Sequence, residues 1–136
     1  MTKYTIWELP QNIIGWIIKK VLKAKFYTRY NEDNVYTWKM DGGISLGEYI
    51  FVPFDETTNA STEWKLDYIR HEYGHTRQSH YLSWLYLIVI GLPSLLWAWK
   101  GQDIFNYFRM KLGKKPVTYY WLYTEKWADS LGGVER

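Results

Sequence analysis

The chain has 136 residues, enough for one domain with a modest core and too few for two ordinary ones. Its formal net charge is only +3, and its 17 basic residues are spread along the chain, which argues against nucleic acid as a partner. With no cysteine, disulfide frameworks and thiolate metal sites are excluded, so any metal must be held by His, Asp and Glu.

The N-terminus, "MTKYTIWELPQNIIGWIIKK", lacks a long apolar run and a small-residue cleavage site, so no secretory signal is read. The compartment stays open between the cytoplasm and a membrane surface. Residues 1–30 are read as an amphipathic, helical N-terminal segment. After Pro10, Ile13, Ile14, Trp16, Ile17, Ile18, Val21 and Leu22 form a broad apolar face flanked by Lys19, Lys20, Lys23 and Lys25. Two environments suit that face: the domain itself, with the lysines solvated, or a membrane surface. Nine Trp and 13 Tyr agree with either, since amphipathic rings fill cores and also sit at bilayer interfaces.

Residues 35–52 read as a β-hairpin turning at Asp41-Gly42-Gly43. Tyr36, Trp38 and Met40 share one face of its first strand, and Ile44, Leu46, Ile50 and Val52 a face of the second, with Gly47 as a bulge. A loop, "PFDETTNAS", leads to a helix over 62–80 with Glu63 in its first turn. Residues 81–112 read as an apolar to amphipathic helical hairpin. Its stretch 81–99 carries no charge over nineteen residues, the length of a membrane span. Gly91-Leu92-Pro93 interrupts that stretch, and basic residues flank both ends. A re-entrant or interfacial hairpin and a buried core hairpin therefore stay open beside it. Residues 117–131 form the last helix, ended at Gly132-Gly133 by a left-handed cap.

All three histidines fall within "IRHEYGHTRQSH". On a helix, four residues advance about 400°, so His71 and His75 lie roughly 40° apart and one turn along. Both imidazoles reach one ion, while Glu72, at the border of that face, can act as a base. His80 falls about 180° from His71 and is a poor ligand. A catalytic zinc site takes three protein ligands and keeps one open position. The third ligand must then be a carboxylate. "YTEKWADSLGG" offers Glu125 and Asp129 at i and i+4 on a mostly apolar helix, where two like charges need a cation to neutralise them. In this scheme Glu125 binds the ion and Asp129 accepts a hydrogen bond from the far nitrogen of a ligand histidine.

"HEYGH" followed by "EKWAD" resembles the gluzincin metallopeptidases, whose pattern is HExxH and then ExxxD. The forms are closest to the HtpX and CAAX prenyl protease group, and the size to the minigluzincins. The resemblance implies that His71, His75 and Glu125 bind Zn2+, that Glu72 is the general base and that Asp129 supports His71. It covers the two motif helices. It also implies an edge strand that holds the substrate, for which Ile44, Ser45, Leu46 and Gly47 are the candidates, with a plain structural strand as the equal alternative. Tyr119, Tyr120 and Tyr123 are equal candidates for steadying an oxyanion.

The expectation is therefore a single α+β, mostly helical, minimal zincin domain over 1–136. A β-hairpin precedes the HExxH helix and an apolar helical hairpin follows it. It would hydrolyse peptide or protein substrates with zinc, touching a membrane surface through 81–99 and the N-terminal helix. The competing expectation is a zinc-stabilised, membrane-associated binding protein without hydrolytic activity.

Overall fold

The structure is a computed structural model that describes residues 3–136. The chain is α+β and mostly helical, with a β-hairpin ahead of a long helix. Helix α1 (Leu9–Val21) has Pro10 in its first turn, where the missing N–H is harmless. It is shorter than the N-terminal segment read from sequence, because 25–30 forms a strand. Strands β1 (Lys25–Tyr30) and β2 (Asp33–Thr37) pair antiparallel across Asn31, whose φ of 53° makes the turn.

Strands β3 (Ile44–Leu46) and β4 (Tyr49–Val52) complete a sheet of order β1-β2-β4-β3. Here the expected hairpin is corrected. Asp41–Gly43 does not join paired strands, because β2 lies parallel to β4 and β3 crosses over to the sheet edge. The antiparallel hairpin turns instead at Gly47-Glu48, a two-residue loop with Gly47 at φ 62°. Gly47 is thus a turn residue rather than a bulge. Asn12 of α1 pins this turn by accepting the Glu48 amide at 2.7 Å.

Helix α2 (Thr62–Leu82) starts where the Ser61 hydroxyl accepts the Trp64 amide at 3.1 Å. Ile69 on α2 joins Val35, Ile50, Val52 and Phe54 in the apolar core between helix and sheet. On its other side α2 packs against α5 (Tyr123–Gly132). A Cβ on Gly74 would overlap the carbonyl oxygen of Ala128, and one on Gly132 the carbonyl oxygen of Arg70. The crossing is therefore as close as backbones allow. Helix α5 begins later than the sequence suggests, because Tyr119–Trp121 make a separate 3-10 turn. It ends in the expected left-handed cap, at Gly133 with φ 75°.

The apolar segment after α2 is helical and turns back, but its turn is not at Gly91–Pro93. The chain bends by 119° around residues 83–85. From there an arm runs on as helix: a π turn over Leu87–Gly91, α3 (Leu92–Leu96), a second π turn over Trp97–Gly101, and α4 (Gln102–Lys111). Pro93 lies in the first turn of α3, where the preceding π turn accommodates it. The bend splits the nineteen-residue uncharged stretch, leaving fourteen residues, 86–99, beyond it. Among the described residues, no single helix is long and apolar enough to cross a membrane.

Candidate metal centre

Helix α2 buries His71, Glu72 and His75, and α5 buries Glu125 and Asp129 opposite them. The Glu125 Oε2 lies 2.6 Å from Nε2 of His75 and 3.4 Å from Nε2 of His71. Ligand atoms of these three residues all fall within 4.8 Å of one another. The His80 ring is elsewhere, stacked on Tyr4 with centroids 3.8 Å apart.

The outer nitrogens of both imidazoles are held. Nδ1 of His71 is 2.7 Å from Oδ1 of Asp129, and Nδ1 of His75 is 2.7 Å from Oε1 of Gln78. Each bond makes Nδ1 the donor, which leaves the lone pair of Nε2 facing Glu125. Gln78 is itself fixed by donating to the Thr124 carbonyl at 2.8 Å. Oε1 of Glu125 accepts the Tyr119 hydroxyl at 2.6 Å, whereas Oε2, though close to His75, is buried without a hydrogen-bond partner. Two imidazole lone pairs and an unpartnered carboxylate oxygen converging on one buried point suit a cation. His71, His75 and Glu125 form a group that could hold a metal ion.

The carboxylates draw positive charge to this point, carried by a proton on an imidazole where no cation takes the lone pairs. Burial disfavours charge on His71, but Asp129 and Glu125 outweigh it and raise its pKa to about 9. Burial also opposes ionisation of Glu125, yet His71, His75 and Tyr119 hold it well below the usual carboxylate range. Asp129 is likewise lowered, against burial, by His71 and by Arg136, whose Nε donates to Oδ2 at 2.8 Å. The Arg136 guanidinium lies 3.3 Å from the Tyr120 ring centroid, closing this flank.

Glu72 stands outside the converging group but lines the same cavity, of about 90 Å³, together with His75 and Glu125. Its Oε2 is buried without a partner, and burial raises its pKa. A Cβ on Gly43 would come within 2.7 Å of the Glu72 Oε1, so the glycine makes room for the carboxylate. Ile44, Ser45 and Leu46 form the opposite wall, with Tyr86 and Tyr119; Gly47 lies beyond it, in the turn. Leu95 and Ala98 of the arm close the remaining side.

Of the three tyrosines left equal by sequence, Tyr119 faces the cavity. Tyr120 packs edge-on against His71, and Tyr123 is exposed, its hydroxyl on the Val89 carbonyl. Sequence spacing alone does not single out Gln78, Tyr86 or Arg136. Gln78 carried a usable signal, being three residues after His75 on the same helix face.

Comparison with family models, with curated proteins and with solved structures finds no match. The site stands on its own geometry.

Proposed function

We propose that this chain is a zinc-dependent metallopeptidase of gluzincin type, acting on peptide or protein substrates. The observation that carries the reading is Glu125, brought from the far end of the chain to within 2.6 Å of the His75 Nε2. Three protein ligands beside an open cavity favour a catalytic over a structural ion, which would take four.

His71, His75 and Glu125 would hold the zinc, which supplies a Lewis acid that polarises a carbonyl and acidifies water. The ligand imidazoles stay oriented because Asp129 and Gln78 hold their outer nitrogens. The apolar cavity walls exclude bulk water from the Glu72 carboxylate, whose raised pKa suits a group that must both accept and return a proton. In hydrolysis, Glu72 takes a proton from the attacking water as its oxygen bonds to the carbonyl carbon. It delivers that proton to the amide nitrogen as the C–N bond breaks. The Tyr119 hydroxyl, kept protonated by burial and by Glu125, remains a donor at the cavity edge.

Glu72→Gln tests the base. The variant should retain stoichiometric zinc and lose roughly 100-fold or more in peptide turnover. Turnover within a few-fold of wild type, with zinc bound, would remove Glu72 from the mechanism.

A further inference from the structure

Helix α1 is turned inside out. Its protein-facing side carries the buried Gln11, Asn12 and Gly15, while Ile13, Trp16, Ile17 and Val21 point away. Val21 is 70% exposed. The sequence shows an apolar stripe, and the ordinary expectation is that such a stripe faces the core.

The arm repeats the inversion. Ser94 donates to the Thr124 hydroxyl at 2.8 Å, and Gln102 and Asn106 both donate to the Val117 carbonyl, so polar side chains are turned toward the protein. Ile88, Leu92 and Trp99 are turned outward, Trp99 being 70% exposed, although the arm also buries Ile90 and Trp97. Helix α1 touches the bend ahead of the arm, where Gln11 donates to the Ser83 carbonyl and the Ser83 hydroxyl bonds the Trp7 carbonyl. Apolar surface on this scale, on two helical elements joined through the 83–85 turn, marks a contact with an apolar phase.

Charge follows the same division. Residues 9–30 and 81–123 hold ten of the 17 Lys and Arg but only one of the 14 Asp and Glu. The remainder holds seven basic and thirteen acidic residues. The small overall charge of +3 therefore conceals +9 over these two stretches, of which α1 and residues 87–111 themselves carry +4, and −6 elsewhere. Outward aliphatic and Trp side chains, with lysines in the last turns of α1 and α4, match an anionic bilayer surface.

We propose that α1 and the 87–111 arm together dock the protein onto the surface of an anionic phospholipid bilayer. They lie in the interface rather than crossing it. The fourteen uncharged residues beyond the bend cover about 21 Å as helix, short of the roughly 30 Å hydrocarbon core, and Lys100 and Asp103 follow them. The arm also carries Leu95 and Ala98 of the cavity wall, so the cavity sits beside the docked surface. The proposal does not depend on the chemistry at the metal centre.

The test is flotation of the full chain with vesicles of phosphatidylcholine alone or with added phosphatidylglycerol. Wild type should float with the anionic vesicles. The triple change Lys19→Gln, Lys20→Gln, Lys111→Gln should weaken partitioning by on the order of 10- to 100-fold. Ile88→Glu with Trp99→Glu should abolish flotation while leaving the thermal unfolding transition in place. A wild type that stays in the aqueous fractions as a detergent-free monomer overturns the proposal. So does a detergent-free dimer that does not float and that Ile88→Glu with Trp99→Glu dissociates, since a second copy would then be the occupant.

Discussion

Gly74 of α2 lies directly under the backbone of Ala128 in α5, so close that a side chain at either glycine of the crossing, Gly74 or Gly132, would overlap a carbonyl oxygen. This contact sets the distance between the helix that carries His71 and His75 and the helix that carries Glu125. It also gives a physical reason for the small residues inside "HEYGH" and "EKWAD". Gly74→Ala should push the helices apart and weaken zinc binding by about 100-fold or more, with a lower melting temperature. Competition against a chelator of known affinity measures the first effect. Unchanged zinc affinity in a folded Gly74→Ala protein would mean that the crossing does not control the site.

The imidazoles are held differently, one by a carboxylate and the other by a neutral amide. Asp129→Ala and Gln78→Ala should each reduce metal affinity by roughly 10- to 100-fold, the usual cost of losing a partner to a ligand histidine. Asp129→Ala should be the more damaging, because it also releases Arg136. Calorimetric zinc titration of both variants gives the ranking. Equal, small losses would show that rotamer packing alone orients the rings.

The two motif helices were legible because helical periodicity turns spacing directly into geometry. His71 with His75, and Glu125 with Asp129, needed only the 3.6-residue turn to be placed on shared faces. Sheet order was not legible. The parallel pairing of β2 with β4 is long-range, and the glycines at 42–43 imitate a hairpin turn. The bend after α2 carries no glycine or proline. It is imposed on Ser83, at φ 53°, by contacts with Trp7 and Gln11 from the other end of the chain. An apolar stripe on α1 was visible, but a stripe does not say which side the protein covers.

A second buried cluster predicts a pH dependence. Burial, only partly offset by the Ser79 hydroxyl, raises Glu8 from 4.5 to about 7. Asp33 is raised to about 7 by burial and by Glu48 and Glu32. The folded state then binds more protons than the unfolded one between about 4 and 7, so stability falls as pH rises through that window. His80 opposes this. Burial, with Arg77 and Lys3, lowers it to about 4, giving stability that is present above 6.5 and lost on acidification. Its 3.6 Å approach to Glu8 is therefore not an ion pair between those two pKa values. Glu8→Gln should raise stability at pH 8 by as much as about 3 kcal/mol and leave it nearly unchanged below about pH 4. Melting curves of both proteins at the two pH values decide it. A variant destabilised equally at both would show that the Glu8 proton is not the source.

The edge strand supplies the last prediction. The buried Tyr86 hydroxyl donates to the Ser45 carbonyl at 3.0 Å, while the Ser45 hydroxyl sits 2.6 Å from that of Thr76 on α2. Strand β3 is only three residues long and pairs with β4 on one side alone, so these two contacts fix its other side beside the cavity. Tyr86→Phe removes one donor, keeps the ring packing and leaves a buried carbonyl without its partner. The expected cost is about 1–3 kcal/mol of stability. Zinc affinity should stay within a few-fold, because Tyr86 is not among the three converging residues. If β3 holds a peptide substrate as an added strand, KM should rise by more than kcat falls, since the strand would wander while the metal ligands and Glu72 stay in place. A fall in kcat at constant KM would instead assign the Tyr86 hydroxyl to the chemical step and leave β3 a structural strand.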